Sequence, residues 1–124
     1  HNRLLMYKRI SHADSYEALD ELQVEMIDRF GLLPEATKNL FATHKLKLQA
    51  ADLGIKKIDA HAQGGRLEFA KDTTVQPITI VQLVQKQPAQ FKLDGADKLR
   101  FISDLTDTQK RLSFVESLLG RLKS

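Results

Sequence analysis

A chain of 124 residues is long enough to bury one substantial core and short for two, and its 42% apolar and 28% charged residues are the balance of an ordinary soluble globular protein. The absence of cysteine excludes disulfides and thiolate metal sites and points to a reducing, cytoplasmic setting. The net charge of +3 is unevenly spread: residues 15–31 carry five acids against Arg29, whereas residues 32–57 carry five lysines against two acids.

No apolar run approaches bilayer-spanning length and no signal-peptide pattern opens the chain, so no membrane association is expected. The first residue is His1 rather than Met, which reads as a fragment of a longer, multidomain protein. A single domain over residues 1–124 is expected.

Taken in order, "LLMYKRI" places Leu4, Leu5, Tyr7 and Ile10 around Lys8 and Arg9 and reads as a short helix, with a strand as the alternative. Ser15 is a good N-cap for "SYEALDELQVEMIDRFG", in which Ala18, Leu19, Leu22, Met26, Ile27 and Phe30 recur at helical spacing. Gly31 suits a left-handed C-terminal stop. Pro34 fits the first turn of a second long helix that runs to Gly54, with Leu40, Phe41, His44, Leu48, Ala51 and Leu53 as its inner face.

The period then shortens. "IKKIDA" and "RLEFA" read as a β-hairpin, with Gly64 and Gly65 as the turn. "QPITIVQLVQKQP" is a short helix between two prolines, and "QFKLD" with "KLRFI", separated by Gly95, is a second hairpin. Thr106 to Leu122 is helical, with Leu112, Val115, Leu118, Leu119 and Leu122 on one face. Neither hairpin can hide its apolar face unaided. The predicted class is therefore α+β: a small antiparallel sheet from two hairpins, packed with about five helices.

Catalytic signatures are missing. The two glycines of "AQGGRLEF" lie between strands, whereas a phosphate loop feeds a helix N-terminus, so no nucleotide cofactor is expected. His1, His12, His44 and His61 share no metal-ligand spacing, and His44 reads as a boundary histidine. Glu25 and Asp28 are close in sequence, but no apolar context raises their pKa for acid/base work. No catalytic, cofactor or metal residue is assigned, and no enzymatic activity is expected of this chain alone.

Two binding classes stay open. Lys38, Lys45, Lys47, Lys56 and Lys57 give residues 38–57 a basic tone that fits a small nucleic-acid-binding domain, although no aromatic residues interleave with them. In the acidic helix, Glu17, Glu21 and Glu25 are like charges at i, i+4, and Asp28 lies in the last turn, where the macrodipole disfavours an anion. Arg29 stands at i+4 from Glu25 in the favourable order. The residues by themselves favour a solvated face over a docking cluster of Glu25, Asp28 and Arg29.

"RLLMYKRI", "ELQVEMIDRFGLLPEA", "LGIKKID" and "GGRLEFA", followed by "LVQKQP", "FKLDG" and "LRFI", resemble the C-terminal domain of the bacterial transcription-repair coupling factors (Mfd) over nearly the whole chain. The resemblance implies a parent that is an ATP-dependent DNA translocase, removes stalled RNA polymerase and recruits UvrA through a UvrB-like module. It implies that this domain packs on that module within the parent and masks its UvrA-binding surface. Glu25, Asp28 and Arg29 match the residues that make the masking contact in that family. The chain by itself is expected to be monomeric.

Overall fold

The computed structural model describes residues 2–123. Five helices and one four-stranded sheet follow in the expected order: α1 (Asn2–His12), α2 (Tyr16–Phe30), α3 (Glu35–Asp52), β1 (Ile55–His61), β2 (Gly64–Phe69), α4 (Pro77–Lys86), β3 (Phe91–Leu93), β4 (Lys98–Ile102) and α5 (Thr108–Leu122). The α+β class is borne out. The chain divides into two compact units between Leu48 and Gln49.

The first unit is helical. Ser15 caps α2, its hydroxyl accepting from the Ala18 N–H at 3.1 Å, and Gly31 (φ 77°) ends it, donating its N–H to the Ile27 carbonyl at 2.8 Å. The core gathers Met6 and Ile10 from α1, Leu19, Leu22 and Met26 from α2, then Leu33 and Phe41. Of the apolar residues of α1, Leu4 and Leu5 are exposed, whereas Met6 and Ile10 are buried. His44 is half-buried and its Nε2 lies 2.6 Å from the Ala13 carbonyl, so it serves as a donor to a loop backbone. On α3, Leu40 and Ala51 face solvent, whereas Leu46 and Ala50 are buried.

The second unit is a sheet with helices on one face. Its strand order is β1-β2-β4-β3, antiparallel throughout, so β2 and β4 join the two hairpins. One sheet face carries Leu67, Leu99, Phe91 and Phe101, each almost wholly buried. Phe114 of α5 stacks against Phe91 (centroids 6.2 Å apart) and tilts against Phe101 (5.2 Å), which fixes α5 over that face.

The turn of the first hairpin is a correction. Ala62 and Gln63 make it, and Gly64 and Gly65 are the first residues of β2. Their lack of side chains answers close packing: a Cβ on Gly65 would strike the Asp59 carbonyl and the Phe101 ring, and one on Gly64 would strike the Phe101 carbonyl.

Candidate functional site

Helix α2 positions the cluster singled out in the sequence. Leu19, Leu22 and Met26 form a narrow buried stripe, and successive residues are turned by about 100° around the axis. Asp28 therefore points away from the core, with Glu25 and Arg29 on the flank. Asp28 and Arg29 are exposed and Glu25 is half-buried. The three share one end of one helix, but they are not equivalent.

Glu25 is engaged within the fold. Arg9 of α1 reaches it as a fork: Nη1 donates to Oε2 at 2.5 Å and Nη2 to Oε1 at 3.1 Å. The Arg9 guanidinium also lies 3.6 Å from the Met6 sulfur. These hydrogen bonds from Arg9, reinforced by its charge and that of Arg29, hold the Glu25 carboxyl below its ordinary value, and the same pair raises Arg9. The expected i, i+4 pairing of Glu25 with Arg29 is thus replaced by a longer-range one, and Arg29 acts on Glu25 through its field alone. Asp28 makes no ion pair or hydrogen bond through its carboxylate among the described residues. Arg9 escaped the sequence reading because its separation of 16 residues from Glu25 has no helical signature.

The apolar surroundings are the second surprise. Ile27 and Phe30 were expected in the core, yet they are 44% and 48% exposed, alongside Val24 at 60% and Leu32 at 94%. Ile27 lies about 100° round the helix from Met26. Phe30 is on the buried side but one turn beyond Met26, where Gly31 turns the chain away. Val24, Ile27 and Phe30, spaced by three, form a spiral ridge beside Asp28. Scattered exposed apolar residues are ordinary, but a contiguous ridge rimmed by charge is the make-up of an interaction surface.

Other candidates carry less. Of the five lysines in residues 38–57, Lys38, Lys56 and Lys57 lie near carboxylates: Glu35 at 3.7 Å, Glu68 at 3.6 Å and Asp59 at 3.7 Å. A groove lined by Thr79, Leu83, Lys86 and Gln87 of the α4 region, with Arg121 of α5, holds an Arg121 to Gln87 hydrogen bond at 3.1 Å, and its lining contains no carboxylate or histidine to act as a base. Among the described residues no group of three or more His, Asp or Glu is placed to hold a metal ion, and no helix is long and apolar enough to cross a membrane.

A helical unit whose α2 ends in an exposed charged cluster, and a second unit built on a helix-covered antiparallel sheet, make up a chain of the α+β class. Residues 1–80 match the TRCF domain family. The chain is 50% identical over 117 residues to a transcription-repair-coupling factor of Haemophilus influenzae, covering 94% of this chain and 10% of the relative. It is 41% identical over 121 residues to that of Escherichia coli, covering 98% and 10%. A crystal structure of the C-terminal domain of a transcription-repair coupling factor superposes with a TM-score of 0.70 at 22% identity, over 98% of this chain and 81% of that one. The chain belongs to the TRCF domain family, and it spans about a tenth of the length of these relatives.

Proposed function

We propose that this chain is a regulatory, non-catalytic domain of a transcription-repair coupling factor, working as one unit over its 124 residues. It packs on the UvrB-like module of its parent and masks the surface that binds UvrA. The parent is an ATP-driven DNA translocase that engages RNA polymerase, UvrA and DNA in the cytoplasm, and this domain adds regulation to that machine.

The observation that carries this reading is Asp28: an outward carboxylate without a partner among the described residues, set beside Val24, Ile27 and Phe30. The apolar ridge offers area to bury and the charge offers register, the division of labour found in protein interfaces. Arg29 presents a fork for an acid of the partner, and Glu25, locked by Arg9, shapes the local field. Polar contacts of this kind are exchangeable with water, as a clamp that must open requires.

The reading is tested by mixing this chain with the isolated UvrB-like module and following complex formation by fluorescence anisotropy. Binding that Asp28→Ala weakens supports it. Binding of equal strength in the variant removes Asp28 from the contact and refutes the assignment.

A further inference from the structure

The sheet has a second face, opposite Leu67, Leu99 and Phe101, and it faces solvent. Register places Asp59 of β1, Arg66 of β2, Arg100 of β4 and Lys92 of β3 in one row across the four strands. Arg66 is thus directly opposite Arg100, and Arg100 directly opposite Lys92. Like charges directly opposed in an antiparallel pair destabilise it, so two such pairs in succession are not what the fold requires. The neighbouring row, Lys57–Glu68–Lys98, sets its acid between two cations.

The acids of this face are already matched. Asp59 lies 3.7 Å from Lys57, Glu68 lies 3.6 Å from Lys56, and Asp94 lies 3.5 Å from Arg66. Lys92, Lys98 and Arg100 are left over, and none forms an ion pair or a side-chain hydrogen bond among the described residues. The face therefore carries a surplus of three positive charges from adjacent strands, whose backbones lie about 4.8 Å apart.

We propose that this sheet face binds the phosphodiester backbone of duplex DNA through Arg100, Lys92 and Lys98. Charge complementarity requires an anionic occupant. Its one ring is the exposed His61 imidazole at the end of β1, and it bears no phenyl, phenol or indole ring, so successive unpaired bases find no stacking platform, which disfavours a single strand. Ile102 is its one apolar side chain among the paired residues, so it lacks the buried anchors that an acidic protein partner would use. A flat, long-armed cationic surface suits a repeating phosphate ligand read without sequence preference. The site uses none of the α2 residues and stands whether or not that cluster docks.

The test is anisotropy of a fluorescein-labelled random-sequence duplex with this chain between 50 and 200 mM KCl. About three phosphate contacts give a slope of log K against log salt of roughly −2.7. Arg100→Glu with Lys92→Gln is expected to weaken binding at least tenfold at 50 mM with no fall in thermal midpoint, since the exchange sets a carboxylate opposite Arg66 and leaves no like charges opposed between β4 and β3. No binding at 50 mM KCl, equal binding by that variant, or loss of binding only on Lys45→Glu with Lys47→Glu would each overturn the proposal. So would tighter capture of polyglutamate or of single-stranded DNA of the same charge.

Discussion

Arg9 of α1 closes both terminal nitrogens on the two carboxylate oxygens of Glu25 in α2, joining helices across 16 residues of sequence. The pair changes the meaning of the acidic helix end. A carboxylate bound at both oxygens holds two helices together, and the neighbouring Asp28 remains the free anion. Arg9→Ala and Glu25→Ala should each lower the thermal midpoint slightly, as exposed pairs do. Their effects should be non-additive in a double-mutant cycle, because each removes the same contact. Additive losses would show that the two side chains act independently.

The same pair makes stability depend on acid. The Glu25 carboxyl titrates below its ordinary value of 4.5 in the folded chain because Arg9 bonds to its charged form. On acidification the unfolded chain therefore takes up this proton first, so the contribution is full above about pH 4.5 and is lost as pH falls through the lower folded value. Asp104, lowered by bonds from the Thr106 hydroxyl and backbone N–H, adds in the same direction. Thermal midpoints between pH 7 and pH 3 should fall less steeply for Glu25→Gln than for the wild type.

Two packing predictions concern residues away from the cluster. Gly65→Ala sets a methyl group against the Asp59 carbonyl and the Phe101 ring, an overpacking that costs about 1–3 kcal/mol. His44→Ala removes the bond to the Ala13 carbonyl, a loss of about 1 kcal/mol. Urea denaturation measures both, and a neutral Gly65→Ala would contradict the close strand approach described for β2.

These particulars show what the sequence makes legible. Caps and breakers are local, so Ser15, Gly31 and Pro34 mark the helix boundaries, and period changes mark both hairpins. Burial is not local. Ile27 and Phe30 satisfy the apolar period of α2, yet the core reaches only as far as Met26 along that helix, and they lie outside it. Gly64 and Gly65 read as a turn because glycine is permissive, whereas the approach of Phe101, 36 residues on from Gly65, is the reason for them. The fork from Arg9 and the row of cations on the sheet are likewise products of tertiary register, invisible in any single window of sequence.

The central claim is that the outward end of α2 holds a UvrA-binding surface covered. It is tested most directly in the intact parent protein, by titrating UvrA against wild type and Asp28→Lys with the thermal midpoint measured in parallel. Masking predicts that Asp28→Lys raises UvrA affinity on the order of tenfold, corresponding to about 1.4 kcal/mol removed from the closed state, with the midpoint unchanged. UvrA affinity equal to wild type in a fully folded variant would contradict it.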